Sequence, residues 1–220
     1  SVDRLINQIM GYVSEISDEF KIIVVDAVRS LGLKFPAKHK TMLAFLGSVL
    51  REEGGFEYKE ATVEAICALL ADIPAAREPA LAHLCEFIED CEYPRLTAQI
   101  LHLLGEEGPH SESPAKLIRY IYNRLILEDA VVRVAAVGAL TKLAVGCLQL
   151  RDGVLSILRR CLADEDDEVR DRAVISIRGL EDDSTVAQEY FMQDDAYDLA
   201  VIESQLMDYV SQSEAALAVR

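Results

Sequence analysis

Two segments decide the fold of this chain: VVRVAAVGALTKLA at residues 131–144 and EVRDRAVISIRGL at residues 168–180. They align at an offset of 37 residues, and their apolar residues recur at spacings of three and four. That spacing predicts one buried face of an α-helix in each segment. The matched pairs are Arg133 with Arg170, Ala136 with Ala173, Val137 with Val174, Leu140 with Ile177, and Leu143 with Leu180.

The same register extends toward the N-terminus. DEFKIIVVDAVRSL (18–31) and FEYKEATVEAICALL (56–70) align at an offset of 38, and YPRLTAQILHLL (93–104) fits between the two pairs. One anchor position heads each segment, at spacings of 38, 37, 37 and 37 residues. The anchors are Lys21, Lys59, Leu96, Arg133 and Arg170. An internal period of this length indicates a repeat protein.

A second apolar helix is predicted ahead of most anchors, at 39–51, 78–89, 114–127 and 152–163. Helix breakers are expected at Pro36, Gly54-Gly55, Pro74, Pro79, Gly105 and 108–114. The fold class is therefore an all-α, HEAT/armadillo-like α-α superhelix, a solenoid of about five helix pairs plus a C-terminal helical segment.

We expect residues 1–182 to form the solenoid and 183–220 a C-terminal helical extension that packs on it or caps it. Within this extension 190–210 reads as an amphipathic stretch. Its candidate buried face consists of Tyr197, Val201, Leu206, Tyr209 and Val210. The chain opens on Ser1 rather than methionine, so we expect it to be a segment of a longer protein.

Acidic residues precede a Val-Arg pair in both strongest copies, EDAVVRVAA and DEDDEVRDRA. We expect these carboxylates to cap the positive end of the following helix. The arginine is expected to bridge toward a neighbouring acidic turn, and the following alanine to let helices approach closely.

Composition excludes several classes of function. The chain has 51% hydrophobic residues, enough for a continuous core, but no tract of about 18 apolar residues that would span a membrane. Twenty-two Lys and Arg face 38 Asp and Glu, for a net charge of −16, and we expect no local cluster of basic residues to override this excess. We therefore predict no binding to nucleic acid and no direct binding to anionic lipid.

No constellation for catalysis is recognisable, so we predict that the chain is not an enzyme and uses no cofactor. Cys85 and Cys91 with His83 do not match a zinc spacing, and no metal site is predicted. Gly54-Gly55 lacks the Lys and Ser or Thr of a phosphate loop. The five cysteines read as buried reduced thiols of a cytosolic protein, and the acidic runs as capping or solvated turns rather than cation sites.

Several strings resemble one family closely: SEISDEFK (14–21), GGFEYK (54–59), LAHLCEFIEDCE (81–92), ILHLLGEEGP (100–109) and DEDDEVRDRA (164–173). They are similar to the trunk of coatomer gamma subunits, which belong to the COPI vesicle coat. HLCEFIEDCE is the most specific, because no generic helical repeat requires that order. The resemblance covers residues 1 to about 182 in the same order along the chain.

The resemblance implies an α-solenoid related to the large subunits of clathrin adaptors, acting in Golgi-to-ER retrograde and intra-Golgi transport. It implies a scaffold that binds the coatomer zeta subunit, other coatomer subunits and a GTP-bound ADP-ribosylation-factor-type small GTPase. The location would be cytoplasmic, at Golgi membranes and COPI-coated vesicles, reached only indirectly through the GTPase. The alternative is a helical-repeat scaffold or transport receptor of another pathway.

Aromatic residues near the starts of the anchor helices fit either core packing or partner contacts. The loops at Gly54–Tyr58 and Cys91–Arg95 lie one repeat apart and form a candidate row on one surface. A GTPase switch surface is largely apolar, so its receptor needs exposed apolar residues. Phe56, Tyr58 and Tyr93 are therefore the candidate partner-binding residues.

Overall fold

A computed structural model describes residues 16–182, 185–192 and 198–218, together with Arg4, Ile6, Gln8 and Ile9. In these described residues the regular structure consists of α-helices and short 3-10 helices, without strands. The predicted all-α fold class is confirmed.

Two sets of helices alternate along the described chain. The anchor helices begin two or three residues before each anchor position: α1 (Asp18–Lys34), α3 (Phe56–Asp72), α5 (Pro94–Glu107), α7 (Ala130–Gly146) and α9 (Asp167–Glu181). The companion helices are α2 (His39–Arg51), α4 (Arg77–Glu89), α6 (Pro114–Leu127) and α8 (Arg151–Cys161). Two further helices follow, α10 (Thr185–Met192) and α11 (Leu199–Ala218).

A short 3-10 helix joins each anchor helix to the next companion helix, at Pro36–Lys38, Pro74–Ala76, Gly108–His110 and Leu148–Leu150. Three of the four begin at or next to a proline, which fixes the backbone angle at a turn and cannot continue a helix. One such turn therefore recurs in each described repeat, although its exact spacing varies by a few residues.

The helices form two layers, with anchor helices packed on anchor helices and companion helices on companion helices. In the anchor layer α1 packs on α3, α5 on α7 and α7 on α9, while α3 and α5 pack less closely. In the companion layer α2 packs on α4 and α4 on α6, while α6 and α8 pack less closely. A single apolar core runs between the layers from Ile6 to Leu180.

Two predicted helix breakers lie inside helices instead, so these two predictions are wrong. Pro79 is in the first turn of α4, where a backbone N–H has no acceptor within the helix and its loss costs little. Gly105 is in the last turns of α5, where a Cβ atom would lie 2.9 Å from the Cα atom of Ala139 in α7. Gly105 thus marks a close helix crossing.

The bonds predicted for the acidic and arginine motif are largely confirmed. Arg133 donates to the Asp164 carboxylate at 2.8 Å, and Asp166 caps α9 by accepting from the Val169 amide at 3.2 Å. Asp129 differs, because its side chain makes no capping bond. Its backbone carbonyl instead accepts from the amides of Val132 and Arg133.

The C-terminal segment carries its apolar side chains outward. Val201, Leu206, Tyr209 and Val210 are all exposed, so the predicted burial of these four side chains is wrong within the described chain, while Tyr197 lies outside the described residues. No other described helix packs closely on α11. The domain division at residue 182 stays a prediction.

Candidate partner-binding surface

The candidate surface lies where α3 and α5 begin. The loop 52–55 leads into α3, and the loop 90–93 leads into α5. The rings of Phe56 and Tyr93 meet edge to face, with centroids 5.4 Å apart and planes at 72°. This geometry is favourable for an aromatic pair, and both rings are only partly buried. The structure therefore brings together two of the three predicted residues.

Tyr58 is 1% exposed, so the structure corrects its prediction as a partner-binding residue. It lies two positions after Phe56 on α3, which turns its ring to the opposite side of the helix. The ammonium groups of Lys21 and Lys59 lie 5.2 and 5.8 Å from the ring centroid. Tyr58 therefore supports the surface from below instead of contacting a partner directly.

Lys59 ties the loop 52–55 to the end of α2. Its ammonium group donates to the carbonyls of Val49 at 3.0 Å and Leu50 at 2.9 Å, and to the carbonyl of Glu52. These are carbonyls that the end of a helix leaves without intrahelical partners. Burial lowers the pKa of Lys59, although the nearby Glu52 carboxylate opposes that effect. The sequence marked Lys59 only as an anchor position.

A carboxylate of the preceding repeat holds the same loop. Asp18 accepts a hydrogen bond from the Gly55 amide at 2.9 Å and forms an ion pair with Lys21 at 3.2 Å. The bond from Gly55, followed by that from Lys21, lowers the pKa of Asp18. The Tyr93 hydroxyl donates to the Gly54 carbonyl at 3.4 Å. The loop beneath Phe56 is thus fixed by residues from three repeats.

An open groove of about 670 Å³ adjoins Tyr93, between the ends of α2 and α4. Its lining is strongly acidic, and Arg51 is its main exposed cation, paired with Glu86 at 3.2 Å. The lining carboxylates are Glu52, Glu53, Glu86, Glu89, Asp90 and Glu92. The surface therefore combines an aromatic pair with a negatively charged border, which suits an apolar partner with a basic rim.

The cysteines and histidine of this region do not form a reactive site. Burial raises the pKa of Cys85 to about 12 and that of Cys67 to about 11, so both remain protonated thiols at neutral pH. His83 packs over Gly47, and burial together with Arg51 lowers its pKa. Among the described residues, no group of three or more His, Cys, Asp or Glu is arranged to hold a metal ion.

None of the described helices combines the length and apolar character needed to cross a bilayer.

The fold and its surface define an adaptin-type helical solenoid. The family model for the adaptin N terminal region matches residues 1–184, and the chain belongs to that family. The predicted resemblance to coatomer gamma subunits is also confirmed.

Three relatives show the extent of that similarity. The chain is 54% identical over 188 residues to a rice protein named coatomer subunit gamma-2, covering 86% of the chain and 21% of the relative. It is 52% identical over 214 residues to a probable coatomer subunit gamma of Schizosaccharomyces pombe, covering 96% and 24%. It is 52% identical over 181 residues to human coatomer subunit gamma-2, covering 82% and 21%. The chain thus spans less than a quarter of the length of these relatives.

Proposed function

We propose that this chain is part of the scaffold of a COPI-type vesicle coat, where it holds other proteins and catalyses no reaction. The observation that carries the proposal is the identity of about half of its residues to proteins named coatomer gamma subunits. The two-layered solenoid supports it, because stacked helix pairs make a long, curved surface from rigid modules.

The proposed partners are the coatomer zeta subunit, other coatomer subunits and a GTP-bound ADP-ribosylation-factor-type GTPase. The proposed location is the cytoplasmic face of Golgi membranes and COPI vesicles. The net charge of −16 supports recruitment through the GTPase, because an acidic scaffold is repelled by anionic lipid. Strong binding of the isolated chain to anionic vesicles without GTPase would contradict this part.

Within this proposal, Phe56 and Tyr93 are the contacts for the GTPase. Their paired rings offer an apolar patch, and the loop beneath them is held by Lys59, Asp18 and Tyr93 itself. A preorganised patch loses little conformational entropy on binding. The acidic groove beside Tyr93 then faces the charged rim of the partner.

A pull-down with the GTPase tests these contacts. The chain is immobilised and offered the GTPase loaded with either GDP or a non-hydrolysable GTP analogue. We expect retention only with the GTP analogue, and about a tenfold loss of affinity in the double variant Phe56→Ala/Tyr93→Ala, since aromatic anchors carry most interface energy. Tyr190→Ala, which removes another exposed aromatic ring, is the matched control.

Three results would count against the proposal. Equal binding of the double variant, with unchanged helicity by circular dichroism, would remove Phe56 and Tyr93 from the interface. Equal retention of the GDP form would remove the GTPase as a nucleotide-dependent partner. Failure to co-purify a zeta-type subunit would favour the scaffold or transport receptor of another pathway.

A further inference from the structure

The companion helices α6 and α8 concentrate positive charge on an otherwise acidic molecule. Together they carry one carboxylate, Asp152, and six cationic side chains, whereas the whole chain has 22 Lys and Arg against 38 Asp and Glu. The six are Lys116, Arg119, Arg124, Arg151, Arg159 and Arg160. The expectation that no basic cluster exists is corrected here, because α7 separates the two helices in sequence but not in space.

A groove of about 440 Å³ runs between these two helices. Its lining includes Ile118 and Tyr122 of α6 and Ile157 of α8, and Arg119 and Arg160 stand at its border. Most of the lining surface is apolar. The groove is open because α6 and α8 pack less closely than the companion helices before them.

The two arginines at the groove are available to a ligand. Arg160 is exposed, and its hydrogen bond goes to the neutral hydroxyl of Tyr122 at 3.0 Å. Arg119 is exposed and 3.6 Å from Glu89, a long surface ion pair of the kind that contributes little free energy. Arg124, in contrast, is buried and paired with Glu128 at 2.6 Å. Arg119 and Arg160 therefore define the charge that a ligand meets.

We propose that this groove binds an acidic, amphipathic segment of a partner protein. An apolar side chain of the segment lies between Ile118 and Ile157, and its carboxylates pair with Arg119 and Arg160. The two arginines attract an acidic segment to this groove by charge complementarity. The chain as a whole is acidic and repels such a segment at other places. The apolar floor selects a peptide over a lipid headgroup or free phosphate, which would engage the arginines and leave the isoleucines in water.

A binding titration with a model peptide tests the proposal independently of the coat partners. The probe is a fluorescein-labelled 15-residue peptide with Leu and Glu at helical spacing, added to the full chain and followed by fluorescence anisotropy. One control peptide replaces Leu by Ala and keeps the charge. The other replaces Glu by Lys and keeps the apolar residues.

Two protein variants complete the test. Arg119→Glu/Arg160→Glu is expected to weaken binding of the Leu-Glu peptide at least about tenfold, as removal of paired interface charges does. Lys34→Glu/Lys40→Glu makes the same change in net charge on exposed residues away from the groove and is expected to change affinity less than about twofold. Circular dichroism establishes that both variants fold.

Several outcomes would overturn the proposal. Equal binding of the Leu-to-Ala peptide would show that the apolar residues of the groove contribute nothing and that binding is nonspecific attraction between charges. Binding of anionic phosphatidylserine vesicles that the double variant abolishes, without peptide binding, would make the patch a lipid site. Equal binding of the Glu-to-Lys peptide would remove charge complementarity as the basis of recognition.

Discussion

The turns ahead of α3 and α7 use the same register position in different ways. At α3 the buried Lys59 donates to backbone carbonyls of its own repeat, at the end of α2 and in the loop that follows. At α7 Arg133 donates to the carbonyl of Glu128 at 2.9 Å in its own repeat and to Asp164 in the next. One position therefore closes a repeat in the first case and joins two repeats in the second.

The difference follows from the shape of the two cations. An ammonium group offers three donors from one point and can satisfy several carbonyls that converge on it. A planar guanidinium spreads its donors over a wider fork and can reach two separate groups. The α5 turn has neither cation, because Leu96 occupies the anchor position. The close crossing at Gly105 and Ala139 supplies the packing of that helix on α7.

The largest expected effect is that of Lys59→Met. The variant leaves carbonyls at the end of α2 without a donor, and we expect the free energy of unfolding to fall by about 3 kcal/mol, as for buried groups left unsatisfied. Denaturant unfolding followed by circular dichroism measures the change. Lys40→Met, an exposed lysine of α2, is the control and should shift stability by less than about 0.5 kcal/mol. A similar result for both variants would contradict the role of Lys59.

Arg133→Met is expected to have a smaller effect, about 1.5 kcal/mol, because its partners Asp164 and Glu128 keep some access to water. The salt dependence of the stability loss distinguishes the two turns. At 1 M NaCl part of the Arg133 effect should disappear, because screening weakens the bond to Asp164. The Lys59→Met effect should stay nearly unchanged, since its bonds are buried and go to neutral carbonyls. Equal salt sensitivity of the two variants would contradict the proposed difference between the Lys59 and Arg133 turns.

The smallest effect concerns the pH dependence of Asp164. Burial acts to raise the pKa of this carboxyl, but hydrogen bonds from the Asp166 amide and from Arg133 outweigh it and hold the pKa below its ordinary value. The unfolded chain therefore binds this proton more readily. Asp164 stabilises the fold at neutral pH, and that contribution is lost as the pH falls below about 4.

Asp164→Asn should accordingly flatten the fall in stability between about pH 5 and pH 3. Urea unfolding at a series of pH values measures that slope. Asp171→Asn, an exposed carboxylate on α9 without such bonds, is the control and should leave the slope near that of the unmodified chain. A slope unchanged by Asp164→Asn would show that the carboxylate titrates alike in the folded and unfolded chain.

Much of the fold could be predicted from the sequence because two signals coincided in most repeats. Apolar periodicity set the buried faces, and the proline and glycine turns set the ends, so the observed α2 (His39–Arg51) and α6 (Pro114–Leu127) match their predicted bounds. Pro79 and Gly105 were wrongly predicted to end helices, because the effect of a proline or glycine on a helix depends on its position within that helix. A proline is tolerated in a first turn, and a glycine can serve a close crossing.

The surfaces were harder to predict than the helices. Phe56 and Tyr58 are two residues apart, and only the rotation of α3 decides which ring faces outward. The carbonyl partners of Lys59 could not be predicted from the sequence, because they lie at the end of another helix and in the loop that follows it. The basic groove was invisible because Arg119 and Arg160 belong to helices separated by α7. Contacts between repeats depend on three-dimensional stacking, which a linear pattern does not specify.

Charged bonds join neighbouring repeats, such as the exposed pair of Arg51 with Glu86 and the more buried pair of Arg133 with Asp164. The apolar core lies between the layers and runs through the same repeats. Salt screens exposed ion pairs but not apolar packing, so rising ionic strength should loosen the Arg51–Glu86 link between repeats before it weakens the core.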